Sequence, residues 1–313
     1  MTNSAAIQQR KTKKAFGIGH YIAPYAFIAP YFIIFFAFSV FPILYSAYVS
    51  TTDWDGWNPA INIGLGNYVN LFQDPIFYKA LTNTLLLMLM IIPAQIFIGL
   101  SIAMMLSIKM LPFRKSFRLL NFLPFLTAPI ALGMIFTILF DPNFGPINAM
   151  LSAIGIENAP NWFGRDWPAR AMIAIITVWR YAGYTAVLFL AGITNINPDL
   201  YEAGEIDGAN WLQRQIYIVM PMLKPVTIFV ILTTMIGCFQ IFEEPFMIFR
   251  AVGRVVGGPD NSVLTGMWLF YDRSFGTTMR FGYGSAIAFS LLIVIALLTF
   301  FVNRILKAGE DKH

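Results

Sequence analysis

The chain has 313 residues, of which 58% are hydrophobic and 12% are charged. A soluble domain carries about a quarter charged residues, so the composition excludes an ordinary soluble protein and indicates an integral membrane protein. The net charge of +5 is distributed between apolar runs rather than gathered in one patch, which argues against a nucleic-acid partner. One cysteine and two distant histidines provide neither a disulfide framework nor metal-ligand spacing, so we expect no metal and no cofactor.

Six apolar runs predict six transmembrane helices and an all-α membrane fold. Each run has at least 18 residues, enough to cross about 30 Å of hydrocarbon at 1.5 Å per residue. The first follows a basic segment, 1–20, and is too long for the apolar part of a signal peptide, so we interpret it as a retained span. The predicted transmembrane domain covers 21–307, followed by a tail at 308–313. Its spans are about 25–50, 82–107, 119–140, 171–193, 225–242 and 282–303.

The distribution of Lys and Arg predicts the orientation of these spans. Placing the N-terminus inside assigns thirteen basic residues to the cytoplasm and seven to the outer loops, as the positive-inside rule requires. Both termini are then cytoplasmic, in a prokaryotic inner or plasma membrane. The basic loop at 109–118 can also contact anionic membrane lipid.

The loop between the fourth and fifth spans, 197–221, is polar and falls on the cytoplasmic side. Four acidic residues lie within nine of its positions, and a membrane span could not hold them. Asn197 and Pro198 predict the N-cap and the first position of a short helix. Composition alone favours an ordinary amphipathic loop helix.

Small residues in the same loop predict a surface on which another protein can dock. Ala203 and Gly204 give the short helix a patch that is poor in side chains, and Gly208 can end it in a left-handed conformation. Asn210 predicts the cap of a second, amphipathic turn. Close backbone approach by a partner is possible over such a patch.

The spacing of this loop resembles the EAA motif, E-A-A-x3-G-x9-I-x-L-P, which marks the membrane permeases of ABC importers. Gly204 stands for the second alanine and Met220 for the leucine before Pro221. Further sequences over nearly the whole chain look like carbohydrate-uptake permeases, whose relatives serve maltose, lactose, multiple sugars or glycerol-3-phosphate. They are Asn83-Thr84, Leu190-Ala191-Gly192-Ile193, the run from Glu205 to Asn210, Gly257-Gly258-Pro259 and the run from Gly282 to Ala286.

The resemblance implies a type I ABC importer permease in which the EAA helix is the coupling helix, seated in a cleft of the ATP-binding subunit. It also implies the partners: a second, homologous permease that forms a heterodimer, two ATP-binding subunits and an extracytoplasmic solute-binding protein. The outer loops 141–168 and 243–280 are the expected contacts of the binding protein. Carried over by position, the coupling contact would be made by Glu202, Ala203, Gly204, Asp207, Gly208 and Pro221.

Four polar or aromatic residues are candidates for the substrate pathway, each with a structural alternative. Arg180 falls near the middle of the fourth span. There it can line a cavity and hydrogen-bond sugar hydroxyls, form an ion pair with Glu243 or Glu244, or snorkel toward the outer leaflet. Tyr184 can stack on a sugar or pack against neighbours. Asn83 can touch substrate or bond a neighbouring helix, and Glu243 can line the outer mouth or mark the end of the fifth span.

Two other classes of protein fit the sequence less well. No G-x-x-x-x-G-K-[ST] motif and no catalytic constellation occurs, so ATP hydrolysis is expected on a separate subunit and a membrane enzyme is disfavoured. A secondary transporter driven by an ion gradient usually carries acidic residues at mid-span, whereas spans one, two, three and six have no charge. A non-sugar solute such as glycerol-3-phosphate is the alternative cargo.

Overall fold

The computed structural model describes residues 18–108, 112–156, 158–253 and 256–308. The predicted terminal segments lie outside the described residues, apart from 18–20 and 308. Strands β1 (Thr52–Asp53) and β2 (Ile61–Asn62) pair antiparallel. The helices α1 to α15 are Ile18–Phe35, Phe41–Val49, Gly66–Gln73, Pro75–Ser107, Arg114–Leu126, Pro129–Leu139, Pro146–Ala153, Asp166–Thr194, Pro198–Ile206, Trp211–Arg214, Met220–Met222, Lys224–Phe239, Glu243–Ala251, Gly266–Phe275 and Phe281–Ala308.

Four helical segments among the described residues are long and apolar enough to cross a membrane: Tyr25–Val49, Pro75–Ser107, Asp166–Thr194 and Phe281–Leu306. Two further spans result when each of two bent helix pairs counts as one. Helices α5 and α6 meet at 97°, and the segment from α10 to α11 meets α12 at 65°. The count of six agrees with the predicted fold class.

The bend between α5 and α6 divides the third predicted span into two helices. Thr127 and Ala128 between them have extended backbones, with ψ angles of 135° and 134°. Pro129 explains the conformation of Ala128, because the proline ring disfavours the α region for the residue before it. An apolar run alone did not predict this break.

Two five-residue π-helical turns interrupt otherwise α-helical segments. They are Phe36–Val40, between α1 and α2, and Gln215–Val219, between α10 and α11. Each is followed two positions later by a proline, Pro42 and Pro221. A proline ring clashes with the carbonyl four residues earlier in an α-helix, and the wider π turn relieves that clash.

The structure divides into two compact units, one ending at Tyr48 and one beginning at Val49. Helices α4 and α8 form the central pair of the second unit. Gly99 permits their close approach, because a Cβ there would lie 2.6 Å from the side chain of Thr185. Gln95 donates a hydrogen bond of 2.8 Å to the Thr185 hydroxyl across the same interface.

Helix α5 lies directly against the backbone of α8. A Cβ at Gly183 would lie 1.8 Å from the carbonyl oxygen of Asn121. The contact places Phe125 of α5 on Tyr184 of α8, with the two rings stacked at 5.0 Å. The bent third span is therefore fixed to the central pair at a glycine.

A small apolar cluster joins the ends of α4 and α8 to the beginning of α12. Its side chains are buried, and burying one such side chain fully contributes about 1.5–3 kcal/mol. Because the cluster includes residues on both sides of 197–221, it anchors the two ends of that loop. Its buried members are Ala103, Leu106, Phe189, Leu190, Ile193, Ile196, Val219, Leu223 and Val230.

Candidate functional site

The helix α9 begins and ends where the sequence predicted. The side-chain oxygen of Asn197 accepts a hydrogen bond of 3.1 Å from the Asp199 N–H, and Pro198 opens the helix. Gly208 follows the end of the helix with a φ of +77°, a conformation that side-chain-bearing residues resist. The predictions of the cap and of the left-handed glycine are confirmed.

The second short helix, α10, carries a complete capping box. The Asn210 side chain accepts from the Gln213 N–H at 2.9 Å, and the Gln213 side chain accepts from the Asn210 N–H at 2.8 Å. Two of the N–H groups that a helix start leaves unpaired are thereby satisfied. The loop is a defined pair of short helices.

Gly204 faces the interior of this pair, whereas its neighbours on α9 and the residue that follows the helix face solvent. Glu202, Ala203 and Asp207 are exposed, but Gly204 is buried. A Cβ at Gly204 would lie 2.9 Å from Cδ1 of Ile218. The small-residue patch predicted from Ala203 and Gly204 is therefore split: Ala203 is exposed, whereas Gly204 leaves space for Ile218 of the chain that follows.

An ion pair between Arg214 and Glu205 ties α10 to α9. The Arg214 side chain is mostly covered, whereas that of Glu205 is mostly exposed. An exposed pair of this kind contributes about 0.2–1 kcal/mol, so its main effect is on the geometry of the two helices. Glu202 and Asp207, by contrast, have their carboxylates on the open surface.

Tyr201 anchors α9 to the small apolar cluster. Burial raises the pKa of the Tyr201 phenol above its ordinary value, so the ring remains neutral. Pro221 is exposed in α11, after the π turn and before the bend into α12. The short helices are thus connected to the fifth span through a π turn and a bend.

A second feature is a cavity of 1280 Å³ among the spans of the second unit. Helices α4, α5, α8, α12, α13, α14 and α15 contribute to its wall. Three of the four predicted pathway residues, Arg180, Tyr184 and Glu243, line it. The wall mixes aromatic rings, which include Tyr181, with hydroxyl and amide groups.

Arg180 forms an ion pair with both acidic residues at the beginning of α13. Its Nη1 lies 2.7 Å from Oε1 of Glu244 and 3.5 Å from Oε2 of Glu243. The Arg180 and Glu244 side chains are 10% and 5% exposed, whereas that of Glu243 is 53% exposed. The ion pair was one of the alternatives weighed for Arg180, and in the structure it joins the fourth span to α13.

Asn83, the fourth predicted pathway residue, lies outside the set that lines the cavity. Its side-chain N–H groups donate to the carbonyl oxygens of Asn261 at 2.6 Å and Leu264 at 3.0 Å. Its oxygen accepts from Arg170, which also donates to the Ser262 carbonyl at 2.9 Å. The structural alternative weighed for Asn83 therefore describes its contacts: it bonds the neighbouring helix α8 through Arg170, and also the loop around Asn261.

The sequence did not predict a role for Arg170 in the site. There it contributed only to the number of basic residues in the outer loops. It is 6% exposed at the beginning of α8, and its guanidinium holds the loop that follows Pro259. Its cation is also 5.2 Å from the centre of the Trp167 ring. Only the tertiary fold brings these groups together, so no local pattern could have identified them.

These features are typical of a membrane transport protein. Apolar spans surround a cavity that carries a few polar groups, and a capped pair of short helices lies outside the spans. Among the residues that the structure describes, no group of three His, Cys, Asp or Glu side chains could hold a metal ion.

Comparison with known proteins agrees with this class. The family described as "Binding-protein-dependent transport system inner membrane component" matches residues 63–311. The lactose transport system permease protein LacF of Rhizobium radiobacter is 33% identical, with 88% of this chain and 90% of that protein covered. The arabinooligosaccharides transport system permease protein AraP of Halalkalibacterium halodurans is 32% identical, with 98% and 94% covered. A chain of a bacterial alginate ABC transporter has the same fold, with a TM-score of 0.74, 21% identity, and 92% and 96% covered.

The chain belongs to the family of binding-protein-dependent transport system inner membrane components. It is a multi-pass membrane protein with the type I permease fold and acts as a permease subunit of an ABC importer. Its family implies an ATPase and a solute-binding protein as partners.

Proposed function

We propose that this permease subunit imports a sugar, from a monosaccharide to a short oligosaccharide. The observation that carries the proposal is the cavity wall, where Phe125, Tyr181 and Tyr184 stand beside Thr177, Gln240 and other polar groups. Sugars combine apolar ring faces with hydroxyl groups, and such a wall can pack against the first and hydrogen-bond the second. The volume of 1280 Å³ exceeds the ordinary range of about 300–1,000 Å³ for small-ligand sites, which leaves room for more than one sugar ring.

The names of two relatives support a sugar as the cargo, since they describe transport of lactose and of arabinooligosaccharides. In the proposed pathway Tyr184 and Glu243 contact the sugar directly. Arg180 is a positioning residue, because its guanidinium fixes the two carboxylates. Asn83 contributes by holding the loop at the end of the pathway.

We infer further that α9 docks on the ATP-binding subunit. Glu202, Ala203 and Asp207 form the exposed face, where carboxylates can meet basic groups of a partner. Gly204 leaves space for Ile218 inside the helix pair, and Gly208 ends α9 in a left-handed conformation. Pro221 and the π turn carry its movement to the fifth span.

These proposals imply a complete assembly. In it this permease forms a pair with a second, homologous permease, and the pair binds two ATP-binding subunits and an extracytoplasmic binding protein. In it both termini and the loop 197–221 face the cytoplasm, and the loops 141–168 and 243–280 face the binding protein. ATP is hydrolysed on the separate subunit, so this chain transports and does not catalyse.

The test is uptake by the complete transporter in proteoliposomes, with its binding protein outside and ATP inside. Labelled lactose, arabinotriose, diacetylchitobiose and glycerol-3-phosphate form the panel. We expect accumulation of at least one sugar, and loss of that accumulation when the ATP-binding subunit carries an inactive nucleotide site. Uptake that persists in that variant would indicate an ion-gradient mechanism, and uptake of glycerol-3-phosphate alone would refute the sugar assignment.

Docking of α9 is tested by reversing a charge on its exposed face. Glu202→Lys should abolish sugar uptake while membrane insertion and binding of sugar remain, because only the contact with the ATP-binding subunit is lost. Asp53→Lys reverses an exposed charge on β1, far along the chain from the loop 197–221, and should leave uptake unchanged. Normal uptake by the Glu202 variant contradicts the docking proposal.

A further inference from the structure

The charged side chains of the cavity wall do not balance. Among the described residues that line it, the charged ones are Arg180, Glu243 and Glu244. Two carboxylates therefore face one guanidinium, which leaves one formal negative charge. Both carboxylates lie in the first turn of α13.

The positive charge of the wall, on Arg180, is already paired with a carboxylate of the protein. Arg180 donates at 2.7 Å to Glu244, and both side chains are nearly enclosed. A buried pair of this kind is strongly coupled, because separating it leaves an uncompensated charge in a poorly hydrated site. Among the described residues of the wall, the one cation is thus already paired with a carboxylate.

The excess negative charge belongs to Glu243. Its oxygen is 3.5 Å from Arg180, longer than the contact to Glu244, and half of its side chain is exposed. The Arg180 Nε is buried and donates to no atom of the described residues, so the guanidinium is committed on one edge only. Glu243 is placed to accept hydrogen bonds from ligand hydroxyl groups.

We propose that this cavity selects neutral sugars and rejects anionic ones, with Glu243 as the specificity-determining carboxylate. The inference rests on the proposed sugar transport and narrows its substrate class. Hydroxyl groups of a neutral sugar can donate to the Glu243 carboxylate, whereas a uronate or sugar phosphate brings a like charge to it. At the effective dielectric of a partly hydrated protein site, one like charge a few ångströms away lowers affinity by about tenfold or more.

The inference is tested with a neutral and an anionic trisaccharide that differ at C6 of each ring. Galactotriose is neutral, and trigalacturonate has a carboxylate in place of each primary alcohol. Dissociation constants are measured by saturation-transfer NMR on the complete transporter in nanodiscs. The solute-binding protein is left out, so that its own selectivity does not enter.

The wild type should bind galactotriose about tenfold or more tightly than trigalacturonate. Glu243→Gln should reduce this preference to about threefold or less by improving the affinity for trigalacturonate. Glu243→Asp keeps the charge and should keep the preference. Asp260→Asn removes one carboxylate that lies outside the cavity wall, and should also keep it.

The failures of the two proposals give different results. Equal binding of the two trisaccharides by the wild type, or an unchanged preference in Glu243→Gln, refutes charge selection and leaves sugar transport intact. Binding of neither trisaccharide, by a transporter that accumulates no sugar of the uptake panel, refutes sugar transport and the inference with it.

Discussion

Replacing Gly183 with alanine should destabilise the protein severely, because the new methyl group has no space. A Cβ at this position would lie 1.8 Å from the Asn121 carbonyl oxygen and 2.4 Å from its carbonyl carbon, whereas real Cβ contacts under 3.0 Å are essentially never seen. Both obstructing atoms are backbone atoms, so no side chain can rotate away. Helix α5 would have to move by about 1 Å or more, and its stacking of Phe125 on Tyr184 would be lost.

Overpacking of this kind costs about 1–3 kcal/mol, and more where the backbone must shift. We therefore expect a loss of about 3 kcal/mol, which corresponds to a fall of about 5 °C in Tm at about 2.1 cal/mol/K of unfolding entropy per residue over 313 residues. The assay is thermal unfolding in detergent, followed by size-exclusion fluorescence.

The matched control is Gly237→Ala, where no atom lies within 4 Å of the added methyl group. Gly237 lies within α12, so alanine should leave stability unchanged or raise it by about 0.5–1 kcal/mol. A Gly183→Ala protein that melts together with the wild type would refute the steric argument, as would equal damage by both substitutions.

Three further substitutions test the cavity and the loop 197–221. Arg180→Met leaves the buried Glu244 carboxylate unpaired and should lower the free energy of unfolding by about 3–5 kcal/mol. The double variant with Glu244→Leu should recover most of this stability in thermal unfolding. A single variant as stable as the wild type would contradict the pairing. Gly208→Val places a β-branched residue at a φ of +77°, which costs about 1–2 kcal/mol of backbone strain. Sugar uptake should therefore fall while total expression stays the same. Normal uptake would show that transport does not depend on this turn. Asn210→Ala removes the capping box and should cost about 1 kcal/mol, seen as faster hydrogen exchange in α10; unchanged exchange there would argue against the cap.

The local features of the fold were readable from the sequence because short-range chemistry determines them. Apolar runs identified the six spans of the fold class, and the Asn197-Pro198 pair identified the beginning of α9. The left-handed conformation of Gly208 followed from its position after a short helix. The pairing of Arg180 with the acids at 243 and 244 was one alternative that the sequence offered, because an unpaired charge in a span has a high energy.

Features that depend on two distant segments were not readable in the same way. Gly204 looked like part of an external patch, and only the packing of Ile218 above it shows why it is small. The contacts of Asn83 and Arg170 depend on a loop more than ninety residues further along the chain. Even the bend before Pro129, for which a local signal existed, was hidden by the uniform apolarity of its surroundings.

The π turn at Gln215–Val219 has a consequence for the register of the chain. A π turn accommodates one residue more than an α-helical turn in nearly the same axial length, so the connection between α10 and α12 contains a surplus residue that Pro221 keeps in place. Deleting one residue from this turn would return the connection to an α-helix and rotate everything before it by about 100° relative to the fifth span. The exposed face of α9 would then point in a different direction, with every one of its side chains unchanged. Homologues that differ by one residue here should therefore differ in the direction in which they present that face.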